Sequence, residues 1–176
     1  MELKTLFGLP AHPLIVHVPI VLIPLVAIGA VAVTIVPSWR QRLGWALVVL
    51  SGVALVGVQL AIGSGEALEH YVERSHALHQ HTELATSLRP LALFLFMALL
   101  ALMLLDHFRR PRSGGNGVAV PTWVMPAVSV LVVLASVLST ARLVQIGHNG
   151  ARASWGDVKL DKAHSREGGE GDNDRG

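Results

Sequence analysis

Long apolar runs separated by short polar connections occupy most of the first 147 residues. Four of them, residues 13–36, 43–63, 88–105 and 121–147, match the roughly 20 helical residues that cross a hydrocarbon core of about 30 Å. None contains Asp or Glu. Arg89 stands at the start of the third run, and Arg142 lies about a turn and a half from the end of the fourth. A cation at that depth either snorkels to the interface or meets a partner. The pattern predicts an all-α integral membrane protein, with four transmembrane helices in an up-down bundle. Residues 1–147 form that domain.

The connection between the second and third runs is polar yet free of proline, with no internal glycine beyond Gly65. Leu68, Tyr71, Val72 and Leu78 fall on one side of it, which predicts a surface helix over about 66–84, lying on the membrane. Residues 148–176 turn charged and glycine-rich, as a tail that is disordered beyond about Lys162. A cleaved signal peptide at the N-terminus is disfavoured. Such segments carry an apolar stretch of about 7–15 residues, whereas the first run is longer and contains Pro19 and Pro24.

Composition agrees with a membrane location. The chain has 176 residues, 52% hydrophobic and 15% charged, whereas soluble domains average about 25% charged. The net charge of +2 gives no basis for nucleic-acid binding. The absence of cysteine excludes disulfides, thiolate ligands, a cysteine nucleophile and covalent c-type haem attachment. Imidazole is then the best remaining ligand for a transition metal or haem iron, and the chain has nine histidines.

Orientation follows from basic density in the short flanks. Segments 37–42 and 106–120 hold five Arg in 21 positions, whereas 1–12, 64–87 and 148–162 hold five Lys or Arg in 51. The denser side is expected in the cytoplasm, with both termini outside. His12, His17, His70, His76, His79, His81 and His148 then converge on the outer face, while His107 and His164 do not.

His17 falls one turn inside the first span, where an imidazole is costly without a partner. Pro19 lacks the amide that would bond the Ile15 carbonyl, which loosens that turn. His12 precedes Pro13, a natural first helical residue. His81 enters the bundle above the third span, His79 and Glu83 are an i, i+4 pair, and His76 lies one turn before His79. His148 sits between Gly147 and Gly150, which predicts a sharp turn at the membrane boundary. Taken singly, each histidine is accounted for as an interfacial or hydrogen-bonded side chain. The convergence of several points to chemistry. Gly44, Gly52, Gly57 and Gly63 read as sites of close helix approach.

The opening Gly-Leu-Pro-Ala-His-Pro-Leu-Ile-Val-His-Val-Pro-Ile, the His-x-x-His-x-His stretch before the third span and the Gly-His-x-Gly segment closing the fourth resemble the bacterial membrane proteins of domain-of-unknown-function family 2231. The likeness covers residues 8 to about 156, with His12, His17, His81, Gly147, His148 and Gly150 on the shared pattern. It implies four spans in a bacterial cytoplasmic membrane. Related domains occur fused to cytochrome-like modules, which implies a link to electron transfer.

Three functions are open at this stage. In the first, b-type haem is held by two axial histidines, His17 with His81 or His148, while Arg142 or Arg89 meets the propionates and His12 lies nearby. In the second, zinc, copper or non-haem iron is held by His76, His79, His81 and Glu83 with His12, His17 or His148. In the third, the protein is an accessory subunit or pH sensor whose histidines titrate. All three describe a redox or cofactor-binding subunit, or an accessory one, rather than a free-standing enzyme. Its expected partners are the lipid bilayer, a respiratory or cytochrome protein, and a second copy of the chain.

Overall fold

The apolar runs are helical over most of their length in the computed structural model, which describes residues 5–6, 9–69, 76–109 and 120–155. Two short strands, β1 (Thr5–Leu6) and β2 (Leu9–Pro10), pair antiparallel ahead of α1 (Ala11–Ile15). The long helices are α2 (His17–Ile35), α3 (Pro37–Glu69), α4 (His76–Arg109) and α5 (Val124–Trp155). The break at Val16 sits where Pro19 withdraws its amide from the Ile15 carbonyl. α2 stops because Pro37 forces the residue before it out of the helical region: Val36 has φ −108° and ψ 99°, and Pro37 begins α3. Pro24 and Pro90 lie inside α2 and α4, as neighbouring helices in a membrane allow.

α2 packs against α3 and α5, and α4 packs against the same two, so the four long helices close into a ring in chain order. All four are long and apolar enough to cross a membrane. Their outer faces carry large exposed side chains such as Ile28 at 72% and Val144 at 66%, a surface that only lipid or another protein covers favourably. α3 and α4 are about 50 Å long at 1.5 Å per residue, longer than the roughly 30 Å core, so both reach beyond it.

Three expected boundaries therefore move. Residues 66–69 prolong α3 and 76–84 open α4, instead of forming a separate surface helix, and 70–75 lie outside the described residues. The short connection expected at 37–42 instead opens α3. Residues 148–155 continue α5 instead of starting the tail, whose remainder lies outside the described residues. An interior glycine costs a helix only about 1 kcal/mol, so Gly147 and Gly150 do not stop α5.

Near the end carrying Arg40 and Arg109, exposed Trp39, Trp45, Phe108 and Trp123 mark a membrane boundary. There Arg40 Nε lies 3.7 Å from Asp106 Oδ1, a largely buried pair linking the start of α3 to the end of α4. At mid-bundle, the Ser139 hydroxyl donates to the Leu91 carbonyl across α5 and α4 at 3.2 Å.

Candidate functional site

The opposite end of the ring, where His12 and His81 lie, encloses a cavity of about 350 Å³ bounded by all four long helices and α1. Helical geometry selects its wall. His12, Val16 and Pro19 recur at intervals of four and three and so share a face. On α4 the same rule presents Leu78, His81, Ala85 and Leu88, and on α5 it presents Leu143, Ile146 and Gly150. The wall is apolar apart from the two imidazoles, Glu66 and Thr82. No Lys or Arg lines it among the described residues.

Each imidazole is fastened to the backbone of a neighbouring helix. His12 Nδ1 lies 3.0 Å from the Ala61 carbonyl and 3.2 Å from Ser64 Oγ, while the Ser64 hydroxyl donates to the same carbonyl at 3.1 Å. His81 Nδ1 lies 3.3 Å from the Ile146 carbonyl. A carbonyl only accepts, so each Nδ1 carries the proton in these bonds, and in the neutral ring Nε2 keeps its lone pair. A glycine stands opposite each ring and leaves room for the close approach. A Cβ at Gly65 would stand 3.0 Å from His12 Cε1, and one at Gly150 would stand 3.2 Å from His81 Cε1. Gly150 thus serves close packing against His81 and not the expected turn.

The structure brings together only part of the expected histidine set. His17 is exposed, with Nδ1 2.6 Å from the Pro13 carbonyl, and it does not line the cavity. It follows His12 by five residues, about 140° around the helix at 100° per residue, so the two cannot share a face. His148 is exposed on α5 and also stands off the wall. His79 and Glu83 form an exposed pair at 4.0 Å. The side chain of His76, and all of His70, lie outside the described residues.

Arg89 is exposed on α4. Arg142 lines a separate groove between α4 and α5 with Gln80, Glu83, Leu84, Ser87 and Asn149, so neither arginine reaches the cavity. Among the described residues, no three His, Asp or Glu side chains come together to hold a metal ion. Sequence reasoning missed Glu66 and Thr82 in the wall, and Ala61, Ser64 and Ile146 as anchors. Projecting each helix at 100° per residue from His12 and His81 would have found the wall, but not the carbonyl partners.

With Nδ1 donating to a carbonyl, each imidazole in its neutral form presents Nε2 either for coordination or as an acceptor. Ligating histidines commonly use this Nδ1–H to carbonyl arrangement, which sets ring orientation.

Residues 8–159 match the family described as predicted membrane protein, DUF2231. Curated proteins and solved structures give no match. With four apolar helices of membrane-crossing length, and with most of its length on the family pattern, the chain belongs to the DUF2231 family of predicted membrane proteins.

Proposed function

We propose that the cavity binds b-type haem through His12 and His81, and that the protein carries electrons at the outer face of a bacterial cytoplasmic membrane. The observation that carries this reading is the pair of imidazoles from two helices that line one apolar cavity, each with Nδ1 tied to a carbonyl. Haem iron takes two axial ligands, so two histidines suffice where a metal ion held by protein alone needs three or more. When bound, the group supplies a one-electron couple. The chain's own residues would orient the two rings through the bonds at Nδ1 and surround the group with aliphatic side chains. Both termini lie outside in this reading, on the basic density around Arg40, Arg42 and Arg109, and a respiratory or cytochrome protein exchanges the electron.

Titrating detergent-purified protein with haemin tests it. The expected result is a Soret band of the low-spin, two-imidazole type, saturating near one haem per chain and lost in His12→Ala and in His81→Ala. No such band in the wild-type protein, or its loss in His17→Ala alone, overturns the reading.

A second reading rests on Glu66 and on the absence of a cation from the described wall, where haem carboxylates would find no partner. A quinol has no such need: one hydroxyl would donate to an imidazole Nε2 and the other to the Glu66 carboxylate. Thermal stabilisation by a short-chain quinol, lost in His12→Ala and unaccompanied by any haem spectrum, would favour it.

A further inference from the structure

A second groove lies between α4 and α5, lined by residues that do not line the cavity. Its volume is about 470 Å³, and Gln80, Glu83, Ser87, Arg142 and Asn149 supply its polar groups. Arg142 is a cation inside a candidate membrane span, half-buried and without an ion pair among the described residues, a placement that usually marks a binding role. Glu83 lines the same groove, yet the two opposite charges do not close on each other, and the Glu83 carboxylate lies 4.0 Å from His79 Nδ1. The Ser87 hydroxyl donates to the Leu84 carbonyl at 2.6 Å, which leaves its oxygen free to accept.

The surface below the groove is apolar and open. Leu138, one turn before Arg142, is 51% exposed, and Phe94, two turns after Ser87, is 40% exposed. A polar groove holding one separated charge of each sign, above an exposed apolar seam, is shaped for a molecule with a zwitterionic head and an apolar tail.

We propose that this groove seats the headgroup of an aminophospholipid such as phosphatidylethanolamine. Arg142 and the Asn149 amide donate to the phosphate, Glu83 and Ser87 Oγ accept from the ammonium, and the acyl chains run along Leu138 and Phe94. A quaternary trimethylammonium has no N–H to donate to Glu83, and a lipid without an ammonium offers it no donor. The site therefore discriminates by head chemistry as well as by charge.

Native mass spectrometry of the full chain in micelles with equal amounts of phosphatidylethanolamine, phosphatidylcholine and phosphatidylglycerol tests the proposal. The wild-type protein should retain phosphatidylethanolamine roughly tenfold over the other two, as one charge-assisted hydrogen bond implies. Arg142→Gln should weaken retention of all three lipids, and Glu83→Gln should abolish the preference while leaving retention itself. An unchanged thermal midpoint of both variants in detergent without these lipids reports an intact fold. Equal retention of the three lipids, preference for phosphatidylglycerol, unchanged selectivity in both variants, or displacement by millimolar free phosphoethanolamine would each overturn it. Haemin titration of the same variants reads the cavity separately.

Discussion

The two ends of the bundle are built from the same apolar residue types, yet one is filled and the other hollow. Towards the arginine end, Val26 and Val33 meet Leu99, Leu102 and Val132 in a continuous buried cluster. Towards the histidine end, Ile23, Val58, Ile62 and Leu88 form a smaller cluster at the floor of the cavity. Glycines occur at both ends, and what faces them differs. Gly29 faces Leu47 and Gly44 faces Met103, flexible side chains that occupy the room a glycine leaves. Gly65 and Gly150 face His12 and His81, flat rings held at Nδ1 that leave the space beyond them open. Helices gain little hydrophobic attraction from one another in lipid, so packing decides their association. The hollow end forgoes packing to keep two imidazoles in place.

The comparison breaks most sharply at the hollow end. Replacing either cavity histidine by Ala should lower haem retention by more than about a hundredfold, the worth of an axial bond well above one ordinary hydrogen bond, measured by Soret absorbance per chain. Ala85→Leu should come next. It fills the cavity and should remove haem binding while shifting the thermal midpoint of the haem-free protein little, or upward, because it replaces a void with contacts. At the filled end, Leu99→Ala should cost about 2 kcal/mol of packing in a denaturation curve and leave haem stoichiometry in the folded fraction unchanged. Ser139→Ala removes the bond to the Leu91 carbonyl and should cost about 0.6 kcal/mol, the average for such bonds in membranes. Equal loss of haem from Leu99→Ala and Ala85→Leu would erase the distinction between the ends.

The spans were legible in the sequence because each apolar run is too long and too poor in charge to fold otherwise. The stop at Pro37 was legible too, in its position and not as a helix start. His81 and His12 were visible as members of a cluster, but His17 stood out more, since its depth in the span drew the argument. Depth says nothing about the face a residue occupies, and the 140° between His12 and His17 sends the second ring outward to the Pro13 carbonyl. Gly147 and Gly150 suggested a turn because glycine permits one. The interhelical approach of His81 that makes Gly150 useful is a tertiary contact, and local sequence does not record it. The anchoring carbonyls of Ala61 and Ile146 are invisible for the same reason, since every residue carries one.

The central claim is that His12 and His81, and not the deeper His17, address the cavity. The most direct measurement is the reduced-minus-oxidised absorption spectrum of haemin-loaded wild-type, His12→Ala, His81→Ala and His17→Ala proteins, purified side by side. The account predicts a two-imidazole haem spectrum in the wild-type and His17→Ala proteins, with none in the other two. A spectrum that survives in both His12→Ala and His81→Ala, or that vanishes only in His17→Ala, would contradict it.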